Sequence, residues 1–113
     1  LQKSRRKESA FRASLNLVLP VLLKPDDPRA PQCALQAADI LYRNDCPYEA
    51  FLLYSHLNHK YDGFERNYEV SRRLGDILAA YGTKKEAVKY YEQAIKQEPS
   101  LEGDLRPLIN GLQ

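Results

Sequence analysis

One stretch of this chain occurs twice. Ala38-Asp39-Ile40-Leu41 is followed by Glu49-Ala50 and Tyr54, and Gly75-Asp76-Ile77-Leu78 is followed by Glu86-Ala87 and Tyr91. Every matched pair is 37 residues apart, so the spacing inside the two copies is identical. Self-similarity at a period of this size marks a repeat protein, in which each unit is one supersecondary element buried by its neighbours. Chains of this kind build surfaces. The pattern therefore points to binding or scaffolding and away from a catalytic pocket.

The 113 residues leave room for one domain, and at 43% hydrophobic and 28% charged it can bury a core without disulfides or metals. The most apolar run, 15–23, is broken by Asn16 and Pro20, well short of the roughly 18 apolar residues of a membrane span. It also lacks the small-residue cleavage site of a signal peptide. Because the sequence begins at Leu1 and contains no Met, it is expected to be a segment of a longer protein. An intracellular location is expected, cytoplasmic or nuclear. Cys33 and Cys46 are then expected to be reduced thiols that pack as small hydrophobes.

Charge is unevenly spread. Residues 1–30 carry seven Lys/Arg and three Asp/Glu, and the remainder carries ten and twelve. Lys3, Arg5, Arg6 and Lys7 open the chain, so a nucleic-acid contact would run through them. So few charges more readily form a solvated first turn.

Apolar residues recur at helical spacing. The stripes Leu74, Ile77, Leu78, Tyr81 and Ala87, Tyr90, Tyr91, Ala94, Ile95 face each other across a turn at Tyr81-Gly82-Thr83. Ala37, Ala38, Ile40, Leu41 and Ala50, Leu53, Tyr54, Leu57 repeat the arrangement across Asn44-Asp45-Cys46-Pro47. Gly75, Ala87 and Ala94 allow close approach of two helices, with Tyr91 filling the space beside them. Gly82 is expected to end a helix in the left-handed conformation, and Thr83 with Glu86 has capping-box spacing. The predicted helices are 5–23, 32–43, 47–60, 66–81, 84–97 and 104–112. Residues 25–31 read as a stiff proline-rich linker, and Pro20 as a kink in the first helix.

The second copy resembles the tetratricopeptide (TPR) family, whose pattern W-x2-L-G-x2-Y…A-x3-F…P has a 34-residue period. Here it reads Ser71-x2-Leu74-Gly75-x2-Leu78, then Ala87-x3-Tyr91, Ala94 and Pro99. The first copy is a more degenerate version: Ala34-x2-Ala37-Ala38-x2-Leu41, Ala50-x3-Tyr54, Leu57 and Asp62. Its three extra residues are placed at Glu65-Arg66-Asn67. Helix 1 is read as half of a preceding unit, since Ala13, Leu17 and Pro25 echo Ala87, Tyr91 and Pro99. The resemblance implies an all-α solenoid of helical hairpins, part of a right-handed superhelix. Its parts are an N-terminal helix and linker at 1–30, repeats at 31–64 and 68–101, and a capping helix at 102–113.

It also implies a concave groove lined by the first helix of each hairpin, which takes a peptide or helical segment of a protein partner. Residue by residue, that side is Gln32, Leu35, Gln36, Asp39, Tyr42 and Arg43, then Glu69, Arg72, Arg73, Asp76 and Ala80. The pairs Asp39–Arg43, Glu69–Arg73 and Arg72–Asp76 stand four apart and can also satisfy each other. The clamp that some members use for a C-terminal carboxylate is not met, because Asp39 and Asp76 would repel that group.

Catalysis has no motif here, neither a phosphate loop nor a nucleophile elbow, and no cofactor is implied. His56 and His59 with the two cysteines fit no zinc spacing. Tyr42, Tyr48, Tyr61 and Tyr68 are left for surface contacts once Tyr54, Tyr90 and Tyr91 are assigned to the core. The expected function is non-catalytic protein–protein interaction as a scaffold segment of a larger complex. The alternative is a structural brick in the solenoid of a nuclear assembly, touching nucleic acid through its basic N-terminus.

Overall fold

The computed structural model describes residues 2–113, with side chains from Ser4 onward. The described residues are all-helical, without a strand: α1 Gln2–Leu23, α2 Ala30–Arg43, α3 Pro47–Lys60, α4 Asn67–Tyr81, α5 Lys84–Gln97 and α6 Glu102–Leu112, with a short 3-10 turn Pro99–Leu101 before α6. Helix ends keep the sequence period. α1, α3 and α5 end at Leu23, Lys60 and Gln97; α3 and α5 begin at Pro47 and Lys84; α2 and α4 begin at Ala30 and Asn67. Each step is 37 residues, so α1 is the positional counterpart of α3 and α5.

The chain forms two compact units, one ending at Leu57 and the other Asn58–Gln113. In the first, α1 packs along α2. α2 is rich in alanine on its inward side: Ala30, Ala34, Ala37 and Ala38 are buried with Leu35 and Leu41. Tyr54 and Leu57 of α3 are both fully buried. The buried Ser14 hydroxyl donates to the Phe11 carbonyl at 2.8 Å, which removes the cost of an unpaired polar group.

In the second unit α4 packs along α5, and α5 in turn against α6. Ala87, Tyr91 and Ala94 form one cluster with Leu105 and Ile109. Burying each large apolar side chain there stabilises by roughly 1.5–3 kcal/mol. Gly75 provides the close approach expected of it. A Cβ at that position would lie 2.7 Å from Cδ1 and Cε1 of the Tyr91 ring.

Several local expectations change. Gly82 has φ −127°, so it does not end α4 in the left-handed region. The left-handed residue is its counterpart 37 positions earlier, Asp45, with φ 63°, a conformation Asp tolerates better than most residues. A Cβ on Gly82 would meet Leu78 Cδ2, the end of a flexible side chain, at 2.8 Å. The capping box does not form. Thr83 makes no side-chain cap, its carbonyl accepts from the Ala87 amide, and Glu86 pairs with Lys89 instead. α2 starts at Ala30, inside the expected linker, because Asp27 organises the turn before it: Oδ1 accepts the Arg29 amide at 2.8 Å, and the carboxylate also takes the Arg29 guanidinium.

Candidate functional site

The two aspartates expected on the groove side are anchored from the following helix. Tyr54 Oη donates to Asp39 Oδ1 at 2.5 Å, and Tyr91 Oη donates to Asp76 Oδ1 at 2.6 Å. Each pair is 15 residues apart, and the two bonds are 37 residues apart. Both tyrosines are buried, so each ring is an apolar plug whose single polar atom emerges beside a carboxylate. The aspartates are half-buried and held at the outward edge of α2 and α4.

The other predicted positions sort by unit. On α2, Gln36 and Arg43 are exposed, and Gln32 and Tyr42 are half-buried. Leu35 is 1% exposed and belongs to the core, not to a binding face. Tyr42 meets the Tyr54 ring edge-on, centroids 6.5 Å apart, so it supports the core as well as facing outward. On α4, Glu69, Arg72, Arg73 and Asp76 are half-buried and Ala80 is exposed.

The expected ion pairs are replaced by others. Glu69 pairs with Arg66, Asp76 pairs with Arg73 at 3.3 Å, and Arg43 Nε donates to the Asp39 carbonyl. Residues three apart on a helix are as close as those four apart. Occupation of one carboxylate oxygen by a tyrosine hydroxyl further restricts what else can reach it. Arg72 is left without an ion-pair partner among the described residues.

At the N-terminus, Arg5 and Arg6 are exposed, whereas Lys7 Nζ lies 3.7 Å from Asp45 Oδ2. The side chain of Lys3 lies outside the described residues. His56 and His59 are both exposed. No group of His, Cys, Asp and Glu among the described residues can hold a metal ion. Cys33 and Cys46 are free thiols. Burial pushes the Cys46 thiol above its ordinary pKa, aided by nearby Glu49.

A polar chain runs from buried Asn67 and Ser71 through half-buried Asn58 and Gln93 to exposed Gln97. Gln93 Nε2 donates to Asn58 Oδ1 at 2.9 Å and to Ser71 Oγ at 2.8 Å. Ser71 Oγ donates to Gln97 Oε1 at 2.9 Å, and Asn67 Nδ2 to Asn58 Oδ1 at 3.1 Å. Asn67 Oδ1 is buried and accepts no hydrogen bond. The counterparts 37 residues earlier are Val21, Ala30, Ala34, His56 and Lys60. A comparison of the two copies, which sets polar Asn67 and Ser71 against alanines, was the signal available.

A cavity of about 460 Å³ sits where α1 meets α2 and is lined by apolar side chains with Lys24, Asp27, Arg29 and Cys33 at its edge. The Arg29 guanidinium and amide hold the Asp27 carboxyl down at about 2. No described helix is long and apolar enough to cross a membrane. Comparison with known proteins gives no matching family model, no matching curated protein and no matching solved structure.

Proposed function

We propose that this chain is a non-catalytic protein–protein interaction module of the TPR type, holding a partner segment along the outward side of the first helix of each hairpin. The duplicated tyrosine–aspartate bond carries the reading. It ties the second helix of each hairpin to the first by the same two residue types at the same spacing. It also fixes a carboxylate on each candidate face. Recognition groups locked by neighbouring packing lose little freedom on binding. The faces carry both signs of charge, Asp39 and Arg43 on one and Arg72, Arg73 and Asp76 on the other. That favours a polar segment of mixed charge and suppresses uniformly acidic competitors.

The test is affinity capture with the whole chain beside a Gln36→Ala/Arg72→Ala variant, read by mass spectrometry. Neither residue supports the core, so the variant is expected to keep its circular dichroism and lose its partners. Capture of the same proteins in the same amounts by both forms rules the reading out.

A further inference from the structure

The turns that lead into α2, α4 and α6 are one turn built three times at the 37-residue period. In each, the amide of the fourth residue donates to the carbonyl of the first: Asp27 to Lys24 at 3.1 Å, Phe64 to Tyr61 at 2.9 Å and Leu101 to Glu98 at 3.0 Å. Among the described residues Asp45 alone has a positive φ. All three are therefore type I turns, in which both central residues have negative φ. The second position separates them. It is Pro25 in the first turn, Asp62 in the middle one and Pro99 in the last. Proline suits that place because its ring already holds the φ the turn needs.

The middle turn instead carries Asp62 followed by Gly63, a pair with a chemistry the prolines lack. Both residues are exposed. Among the described residues no hydrogen bond holds the Gly63 amide or the Asp62 carboxyl. Rotation about ψ of Asp62 brings its side-chain carbonyl carbon against the Gly63 nitrogen. A Cβ built on Gly63 would meet nothing within 4 Å, so neither a side chain nor a neighbour obstructs that rotation.

We infer that Asp62–Gly63 is a site of spontaneous aspartate isomerisation, which makes this chain a substrate for a carboxyl methyltransferase that acts on isoaspartate. The Gly63 nitrogen attacks Cγ of the protonated Asp62 carboxyl. A bond forms between nitrogen and Cγ, the bond from Cγ to hydroxyl breaks, and the amide proton leaves with the hydroxyl as water. Water then opens the five-membered imide at the main-chain carbonyl carbon of Asp62, breaking the bond from that carbon to nitrogen. The water lost is regained, so the product is an isomer. Its backbone runs through Cγ and is longer by a methylene, which shifts the Phe64 amide off the Tyr61 carbonyl. Its free α-carboxylate is the group such an enzyme esterifies with S-adenosylmethionine. Asn110–Gly111 can form the same imide by losing ammonia, but it lies within α6, where helical bonding fixes the backbone.

The test ages the whole chain in mildly acidic buffer. The chain is then labelled with a purified isoaspartate carboxyl methyltransferase and tritiated S-adenosylmethionine, and the label is placed by peptide mapping. Label is expected at position 62. Asp62→Pro copies the other two turns, so it is expected to keep the circular dichroism and lose the label. Gly63→Ala needs no positive φ and meets no atom. It is expected to slow labelling at least about tenfold, since the added Cβ restricts the rotation that closes the ring. Asn110→Gln is expected to label at position 62 as the parent does. The inference is overturned by equally fast labelling of Gly63→Ala, by label confined to position 110, or by a parent that labels no more than Asp62→Pro.

Discussion

Gly75 and Tyr91 are in contact so close that no side chain fits between them. An added Cβ would stand 2.7 Å from two carbons of the ring, below any ordinary packing distance. The ring cannot swing away freely, because its hydroxyl is held by Asp76 and it is packed with Leu105 and Ile109. The counterpart of Gly75 in the other unit is Ala38, fully buried, in the copy where Tyr54 takes the place of Tyr91.

Gly75→Ala therefore sets two effects against each other. Overpacking costs about 1–3 kcal/mol, while alanine gains up to about 1 kcal/mol of helix propensity. Overpacking is expected to win, giving a net loss of about 1–2 kcal/mol in urea unfolding. Ala38→Gly is expected to cost about 1 kcal/mol through propensity alone. A Gly75→Ala protein as stable as its parent would contradict the geometry.

The two tyrosine hydroxyls offer a paired measurement. Tyr54→Phe and Tyr91→Phe each remove one hydrogen bond to a carboxylate and keep the ring. Each is expected to lose about 1–2 kcal/mol of stability, and the two losses should agree, since the bonds match in length and spacing. A near-zero change in one and not the other would show that the repeat does not extend to this interaction.

The part-buried polar chain predicts non-additivity. Gln93→Ala frees both Asn58 Oδ1 and Ser71 Oγ of one donor and should cost about 1–3 kcal/mol. Ser71→Ala leaves Gln97 Oε1 and Gln93 Nε2 each one partner short. The double variant should cost less than the sum, because the bond they share is lost only once. Strict additivity in denaturant unfolding would argue against a connected chain.

Asp27 should contribute to the acid dependence of the first unit. Its carboxyl is held at about 2 by Arg29, below the ordinary value of the unfolded chain. The ionised form therefore favours the folded state above about pH 4, and the contribution fades as the pH falls toward 2. NMR titration of Asp27 should return the midpoint to the usual carboxylate range in Arg29→Ala. An unchanged midpoint would mean the turn before α2 is set by something else.

The thiols should separate by reactivity. Cys46 is 4% exposed with a raised pKa, and its Sγ is directed at the Asn44 carbonyl at 3.7 Å. Cys33 lines the edge of the α1–α2 cavity. Under native conditions an aromatic disulfide reagent should label Cys33 first, and Cys33→Ser should abolish the fast phase. Faster labelling of Cys46 would contradict its burial.

The sequence alone determined the helices, the 37-residue period and the buried identities of Tyr54, Tyr91, Ala87 and Ala94. These depend on spacing along one chain, and spacing is what a repeat preserves. It also placed Gly75 at a close crossing, because small residues at Gly75, Ala87 and Ala94 let two helices approach. Tertiary structure decided the rest. Asp39 and Asp76 read as groove residues paired to arginines four positions away, Arg43 and Arg72, until the following helix brought a tyrosine hydroxyl to each. Leu35 read as a groove residue and lies in the core, since a helix wheel gives directions but not which of them a neighbour covers. The bonds among Asn58, Ser71, Gln93 and Gln97 join three helices across separations of up to 35 residues. No local pattern encodes which distant amides will meet, because that depends on how the helices pack and not on the order in which they are written.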